Sequence, residues 1–262
     1  MHFTKMEGLG NDYLYIFGEL ENPEEVSIKY SERHFGIGSD GIIMISPSEI
    51  ADFKMRIFNA DGSEAKMCGN GIRCVGKYVY DKGYTEKTSL EVETLSGIKK
   101  LELVVENGKV SQASVDMGKV KVSDSVEIKA DSKEVVVTPV DVGNPHAVII
   151  TDDAENAPLT TLGKAIEKHS HFPGGVNVEF ITLTGENELR MRVWERGSGI
   201  TMACGTGACA SASVAVKAGL CKADEEITVK LDGGDLKIVV KPDWTVIMTG
   251  PATLVAECDV ED

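Results

Sequence analysis

The sequence lacks several features that would narrow the search for a function. Aromatic residues make up only 6% of its 262 residues, no apolar run is long enough to cross a membrane, and no two cysteines have the Cys-x2-Cys spacing of a zinc ribbon. The N-terminal segment has no basic region followed by an apolar stretch, so it does not predict a signal peptide. We therefore expect a cytoplasmic protein whose six cysteines are thiols, with no metal site and no membrane partner.

Basic residues are also few, because 27 Lys and Arg stand against 42 Asp and Glu, for a formal net charge of −15. Nucleic acids and anionic membranes bind basic surfaces, so this balance argues against both as partners. An anionic small molecule is not excluded, since a local site can be positive on an acidic protein. With 42% hydrophobic residues, a chain of this length can form one large domain or two of ordinary size.

What the sequence does contain is an internal repeat. Residues 55–71 read MRIFNADGSEAKMCGNG, and residues 191–207 read MRVWERGSGITMACGTG. Both segments start with Met-Arg-aliphatic-aromatic and end with Cys-Gly-x-Gly, which places Cys68 and Cys204 136 positions apart. Fainter matches, in the same order, join residues 10–16 to 143–149 and residues 38–45 to 175–181. We therefore expect two similar halves that meet near residues 118–135.

The local patterns are the same in both halves and predict a mixed α/β (α+β) fold. A helix is predicted directly after each repeated cysteine, over residues 69–82 and 205–218, with Gly83 and Gly219 at the C-terminal ends. A third helical stretch is predicted near Leu159 to His169. Runs rich in β-branched residues predict strands over 89–105, 135–141, 147–151, 176–184, 189–195, 227–231 and 236–240.

Each repeated cysteine stands where a loop becomes a helix. Amides at a helix start bind anions, so those of Gly69-Asn70-Gly71 and Gly205-Thr206-Gly207 can cradle a carboxylate and push the adjacent thiol toward thiolate. Two such cysteines on opposite faces of an amino acid can invert its Cα, because one removes the proton and the other donates one. This chemistry needs no pyridoxal phosphate, since the cradled carboxylate spreads the carbanion charge onto fixed dipoles.

Five blocks, in order along essentially the whole chain, resemble the diaminopimelate epimerase family: FTKMEGLGNDYLYI, RIFNADGSEAKMCGNGIRC, VGNPHAVI, GVNVEFI and VWERGSGITMACGTGACA. The resemblance implies two pseudo-symmetric domains, each a curved mixed sheet or barrel around a central helix. Residues 1–118, joined by the tail near 250–262, would form one domain, and residues 119–249 the other. It also implies cofactor-independent conversion of LL- to meso-diaminopimelate, for lysine and peptidoglycan precursor biosynthesis.

The resemblance further implies roles for the residues that match the family's motifs. Cys68 and Cys204 would be the catalytic acid/base pair, and His146 and Glu195 would hold the α-amino group and assist the thiols. The α-carboxylate would be cradled by Gly69, Asn70, Gly205 and Thr206. The other substrate-binding residues, several of which would grip the distal end, would be Asn11, Asn59, Asn144, Asn177 and Arg196. An arginine suits a second carboxylate because its guanidinium binds as a bidentate fork.

One residue departs from the family pattern, and three alternatives stay open. Gly41 follows Ser-Asp where many members carry Gln, which removes a side-chain contact near the distal end. The chain could be a two-cysteine racemase for another amino acid, such as proline, hydroxyproline or histidine, although Asn70 and Thr206 replace the His of proline-racemase-like Cys-Gly-His blocks. A phenazine-biosynthesis-like isomerase would leave the matched cysteines unexplained. A non-catalytic protein would bind metal or ligand through its thiols. The sequence leaves open a homodimer and which cysteine is the thiolate at rest.

Overall fold

The computed structural model describes residues 1–261 and divides them into two compact units. Unit 1 comprises Met1–Val115 and the tail from Gly250, and unit 2 comprises Asp116–Thr249. Strands dominate and helices are few, as the predicted mixed α+β class requires. Within residues 1–261, no helix has the length and apolar character needed to span a membrane.

The elements are numbered in chain order. The helices are α1 (Pro23–Ser31), α2 (Gly69–Asp81), α3 (Lys164–Glu167), which continues a π-helical turn at Leu159–Gly163, and α4 (Gly205–Lys217). The strands are β1 (His2–Gly8), β2 (Asn11–Phe17), β3 (Gly41–Pro47), β4 (Phe53–Asn59), β5 (Glu64–Ala65), β6 (Ser89–Thr94), β7 (Gly97–Glu106), β8 (Lys109–Lys119), β9 (Lys121–Val122), β10 (Val126–Ala130), β11 (Lys133–Asp141), β12 (Pro145–Ile150), β13 (Asn177–Gly185), β14 (Glu188–Glu195), β15 (Gly199–Ile200), β16 (Glu226–Leu231), β17 (Gly234–Val240), β18 (Thr245–Pro251) and β19 (Thr253–Asp259).

In unit 1, hairpins alternate with crossovers. β1 and β2 pair antiparallel, β2 and β3 parallel, β3 and β4 antiparallel, and β4 and β6 parallel. A parallel pair needs a long connection, and α1 and α2 lie in the two that occur here. The C-terminal strand β19 pairs antiparallel with β1, from His2 opposite Asp259 to Glu7 opposite Thr253. This pairing makes the tail part of unit 1.

Unit 2 repeats this order of pairings. β11 and β12 pair antiparallel, β12 and β13 parallel, β13 and β14 antiparallel, and β14 and β16 parallel. The short strands β5 and β15 pair back onto β4 and β14, and α2 and α4 follow them. The sequence repeat therefore corresponds to a structural repeat that places each cysteine between a short strand and a helix.

The two helices after the cysteines form the centre of each unit's packing. In α2, Ile72, Val75 and Val79 are fully buried, and the helix packs on β1, β2 and β7. Every residue of α4 from Gly207 to Ala215 is buried, and the helix packs on β11 to β14, β16 and β17. Its small side chains let strands approach on all sides, as the apolar composition of this segment predicts. Both helices are followed by a glycine with positive φ, Gly83 at 78° and Gly219 at 72°.

The predicted helices after the cysteines are confirmed to within one residue at their C-terminal ends. The single strand predicted over 89–105 is wrong, because Leu95 and Ser96 form a tight turn and the segment is the β6–β7 hairpin. The third helical stretch is a π-turn followed by one α-helical turn. Helix α1 was not predicted because its apolar residues show little helical periodicity, although Pro23 at its first turn is a helix-start signal.

One prediction follows from the core of unit 1. Cys74 on α2 is fully buried, and burial raises the pKa of its thiol to about 11. Because the folded pKa exceeds the unfolded one, the stability it contributes is complete below about pH 8.5 and is lost as the pH rises through about 11. Between pH 8 and pH 10.5, wild type should lose about 2 kcal/mol more unfolding free energy than Cys74→Ala.

Urea unfolding with reductant at the two pH values measures this difference. Val79→Ala is the matched control, because it removes a buried group from the same helix without removing a titratable one. Its destabilisation should be the same at both pH values. A Cys74→Ala difference that is equally constant would contradict the prediction.

Candidate functional site

Cys68 caps helix α2 with its own sulfur. Its backbone is extended, with φ −137° and ψ 114°, and Sγ accepts a hydrogen bond from the Gly71 amide at 3.3 Å. The thiol donates to Asn11 Oδ1, also at 3.3 Å. Asn11 Nδ2 in turn donates to Asp40 Oδ2 at 2.7 Å, so a carboxylate fixes the amide that orients the thiol.

The other predicted residues of unit 1 lie around this cap. Asn59 is half-buried at the end of β4, where its Nδ2 donates to Ser63 Oγ at 3.0 Å. Gly41 lies opposite Asn59 in the β3–β4 register and has a φ of 154°. A Cβ added at Gly41 would overlap the Phe58 carbonyl oxygen. The departure from the family pattern is thus built into the backbone, since no side chain fits here without rearrangement.

Asn70 was predicted to cradle a carboxylate, and its side chain is held in place by an arginine. Arg73 is fully buried, and its Nη1 donates to Asn70 Oδ1 at 3.0 Å and to the Gly69 carbonyl at 3.1 Å. Its Nε donates to the carbonyl of Pro251 in the tail at 3.0 Å. Arg73 therefore positions the first turn of α2 and ties the tail to it.

Cys204 caps helix α4 in the same way. Its φ of −121° and ψ of 104° are again extended, and Sγ accepts from the Gly207 amide at 3.3 Å. The Thr206 hydroxyl lies 3.6 Å from the sulfur and accepts from Asn144 Nδ2 at 3.3 Å. In both units, then, the third amide of the helix is used by the cysteine itself. Only the first two amides of each helix therefore remain for the predicted carboxylate cradle. They belong to Gly69 and Asn70 in unit 1 and to Gly205 and Thr206 in unit 2.

Beneath Cys204 lies a buried ion pair that the sequence analysis did not assign. His146 on β12 and Glu179 on β13 have fully buried side chains, with Nδ1 2.6 Å from Oε1. His146 Nε2 lies 3.1 Å from Asn144 Oδ1. A chain of contacts thus runs from Glu179 through the imidazole and Asn144 to the hydroxyl beside the thiol.

The electrostatics of Cys204 correct one expectation. Burial raises the pKa of its thiol well above the ordinary value, and the carboxylates of Glu195 and Glu179 add to this rise. The hydroxyl of Thr206 and the amide of Gly207 act in the opposite direction but are outweighed. The helix start was expected to push the thiol toward thiolate; for Cys204 that expectation is wrong, because desolvation and two nearby carboxylates dominate.

Glu195 is the second carboxylate at this site. It ends β14 and accepts a hydrogen bond from the Thr201 hydroxyl. Burial raises the pKa of Glu195, and the neighbouring Glu179 adds to the rise. A carboxyl with a raised pKa beside a thiol is suited to proton transfer near neutral pH.

Arg196 follows Glu195 and is exposed, with its backbone amide bound to Asn177 Oδ1 at 2.8 Å. Its Nη1 donates to the Gly174 carbonyl at 2.9 Å. A Cβ on Gly175 would lie 2.7 Å from Arg196 Cδ, so the glycine leaves room for the arginine stem. Asn177 therefore fixes the backbone that presents this guanidinium.

The structure gathers the predicted residues into one cluster in each unit. Cys68, Asn11 and Asn70 belong to the first, and Asn59 lies on the strand beside it. A larger set lies around Cys204, namely Asn144, His146, Glu195, Gly205 and Thr206. Asn177 and Arg196 contact each other, directly after Glu195. The residues that the sequence analysis missed are Asp40, Arg73, Glu179 and Thr201. A signal existed for Glu179, since it is a lone carboxylate inside the apolar strand segment 176–181.

In the part of the chain that the structure describes, no three His, Cys, Asp or Glu side chains are grouped to hold a metal ion. The chemistry available at each cluster is that of a thiol, its helix-start amides and, in unit 2, two carboxyls and an imidazole.

Solved structures define the class of fold. A phenazine biosynthesis protein of the PhzF family from Bacillus anthracis matches with a TM-score of 0.77 and 16% identity, over 100% of this chain and 99% of that one. A hydroxyproline epimerase from Agrobacterium vitis matches with a TM-score of 0.76 and 16% identity, over 98% and 91%. At such identity the likeness shows the fold alone, which is the α+β fold of these two proteins.

The family model described as diaminopimelate epimerase matches residues 3–123 and 138–255. Relatives bearing that name are 49% identical in Methanococcus maripaludis strain C5, over the full length of both chains, and 51% identical in Acetivibrio thermocellus, over 100% and 99%. The relative from Bacillus subtilis strain 168 is 51% identical over 97% and 96%. The chain belongs to the diaminopimelate epimerase family, which confirms the resemblance seen in its motifs.

The buried pair makes a stability prediction. Replacing His146 by Ala leaves the carboxylate of Glu179 buried without its counter-ion, so the free energy of unfolding should fall by about 3–5 kcal/mol. Chemical denaturation measures the change. Lys222→Ala is the control, because it breaks a largely exposed pair with Glu186 and should cost at most about 1 kcal/mol. Equal costs for the two variants would mean that His146 and Glu179 are not an ion pair.

Proposed function

We propose that the protein is a diaminopimelate epimerase that inverts one Cα of LL-diaminopimelate to give the meso isomer, without a cofactor, in lysine and peptidoglycan precursor biosynthesis. The observation that carries the proposal is the duplicated cap, in which Cys68 and Cys204 each begin a central helix in a chain of this family. A cytoplasmic location suits a biosynthetic enzyme whose half-buried and buried cysteines are free thiols.

In the proposed reaction, a thiolate takes the proton from Cα and becomes a thiol, and the electron pair stays on the substrate. The carboxylate next to Cα, held by amides of Gly69, Asn70, Gly205 and Thr206, carries part of the developing charge. The other cysteine then donates its proton to the opposite face of Cα and becomes the thiolate. The configuration is inverted, and the two sulfurs have exchanged protonation states.

The remaining predicted residues take supporting roles in this proposal. His146 and Glu195 assist the Cys204 side and the α-amino group, with His146 acting through Asn144 and Thr206. Asn11 orients the Cys68 thiol. Among the other polar residues, Asn59, Asn177 and Arg196 serve the distal end of the substrate.

The test of the reaction is proton NMR of LL-diaminopimelate in D2O with reduced protein and no added cofactor. We expect deuterium at Cα together with the meso isomer. Cys68→Ser and Cys204→Ser should each lower the rate of epimerisation by about 10²–10⁴-fold, because each removes one acid/base group. Cys258→Ser is the matched control, since this half-buried thiol on β19 is outside the proposed chemistry and its loss should leave the rate unchanged.

Other outcomes of the same experiment separate the alternatives. Exchange with another amino acid such as hydroxyproline, but not with diaminopimelate, would keep the two-cysteine mechanism and reject the substrate. Full activity of either serine variant would overturn the two-base mechanism. A folded, reduced wild-type protein that exchanges no amino acid would overturn the epimerase proposal and favour a binding protein.

A further prediction concerns the distal carboxylate. Arg196→Ala should weaken binding of diaminopimelate by about 10–100-fold, the range of a lost charge-assisted hydrogen bond, and should hardly affect lysine, which has no second carboxylate. Inhibition constants of lysine and KM values for LL-diaminopimelate measure the two effects. Arg192→Ala on β14, four residues before Arg196, is the control, because its guanidinium is held by Asp232. Equal weakening of both ligands would remove Arg196 from the distal site.

A further inference from the structure

A carboxylate lies directly beneath the sulfur of Cys204. An added Cβ on Gly207 would meet Glu179 Oε1 at 2.7 Å and Cys204 Sγ at 3.1 Å, so both atoms border the space in front of this glycine. Glu179 is fully buried, and its Oε2 has no hydrogen-bond partner among residues 1–261. A buried, incompletely paired carboxylate beside a thiol acts on that thiol with little screening.

Among the described residues of unit 1, an apolar side chain stands at the same place. The repeat offset of 136 positions relates Glu179 to Ile43, and the structure agrees with this correspondence. An added Cβ on Gly71 would meet Ile43 Cδ1 at 2.6 Å and Cys68 Cβ at 3.5 Å. We call the side chain that borders each capping cysteine its floor. The floor of Cys68 is the hydrocarbon side chain of Ile43, and the floor of Cys204 is the carboxylate of Glu179.

Hydrogen bonds connect this floor to the hydroxyl beside the sulfur. Asn144 donates through Nδ2 to Thr206, so its Oδ1 faces His146 Nε2 as an acceptor. The other ring nitrogen of His146 lies 2.6 Å from Glu179 Oε1. With Glu195 also close by, a thiolate at Cys204 would stand beside two carboxyl groups, and both raise the pKa of its thiol.

We propose that Glu179 is a positioning residue that keeps Cys204 in its thiol form at rest, so that Cys204 is the resting proton donor and Cys68 the resting base. The roles of resting base and resting proton donor rest on the proposed function, but the effect of Glu179 on the ionisation of Cys204 does not. In the first step, the Cys68 thiolate takes the Cα proton. In the second, Cys204 gives its proton to Cα and becomes a thiolate. Before the next turnover, Cys68 loses a proton to solvent and Cys204 regains one, and Glu179 favours that return.

Several groups around the Cys204 sulfur enter its titration. These are Glu179 on β13, Glu195 at the end of β14, and the Thr206 hydroxyl and Gly207 amide of α4. His146 on β12 acts on Glu195. Glu179→Gln keeps the shape of the side chain and removes its charge. The change removes a carboxylate that borders the same space as the sulfur, so it should lower the pKa of Cys204.

The experiment is a pH titration followed by NMR of protein labelled with 13C at cysteine Cβ, with the Cys204 and Cys68 signals assigned from the serine variants. The signal reports thiol ionisation in a buried site without a reagent that must reach it. We expect Glu179→Gln to lower the pKa of Cys204 by about one pH unit. Two controls should leave it unchanged, namely Ile43→Val at the equivalent position in unit 1 and Glu188→Gln, which removes a carboxylate on β14 that pairs with Lys230.

An unchanged Cys204 titration in folded Glu179→Gln would overturn the proposal. If that variant does not fold, the wild-type titration decides. A Cys204 pKa above that of Cys68 and above the ordinary thiol value of about 8.5 would support the proposal, and a lower one would overturn it. The outcome is separate from that of the proposed function, because thiol ionisation is read without substrate. A protein that shows the shift but turns over no amino acid would keep this inference and lose the epimerase reaction.

Discussion

The contact on which both clusters depend is a hydrogen bond from a helix amide to a cysteine sulfur. Sγ of Cys68 and Sγ of Cys204 each replace the usual oxygen cap at 3.3 Å from the third amide of the following helix. The cap fixes the rotamer of the sulfur and the start of the helix together, so a reactive thiol is held by an element at the centre of its unit. The second glycine of Cys-Gly-x-Gly is explained by the same contact. A side chain there would collide with whatever lies beneath the sulfur.

Much of this arrangement could be predicted from the sequence, because duplication makes local signals reinforce each other. The helix after each cysteine and the glycine that ends it were placed to within a residue, and the repeated order of strands followed from the repeat. The β6–β7 hairpin was missed although Ser96-Gly97 is a turn signature, because the β-branched and apolar residues on both sides form one continuous run in the sequence. The ion pair of His146 and Glu179 was missed for a different reason. Residues 33 positions apart meet only through the parallel register of β12 and β13, which no local pattern specifies.

The raised pKa of Cys204 shows where a correct local rule gives the wrong result. A helix start does favour a thiolate, by an interaction worth about 0.3–1 kcal/mol at an exposed position. Burial of the thiol and the two carboxylates beside it oppose this more strongly, and the pKa rises. The motif alone could not reveal this, because the opposing charges come from β13 and β14 rather than from the helix.

Both units cap their central helix with a cysteine, but a different side chain borders each sulfur. This difference separates two thiols that the repeat would otherwise make alike. Two identical cysteines could share one proton, but neither would then be the preferred proton donor at rest. Ile43 and Glu179 are the simplest difference that separates them, because a single charge beneath one sulfur acts on that sulfur and leaves both caps intact. The buried and incompletely paired oxygen of Glu179 costs stability, and such costs persist in proteins where function requires them. Among the described residues, Glu179 is the charged one of the two floors. It lies beneath Cys204, where the stability that its burial costs has a chemical use.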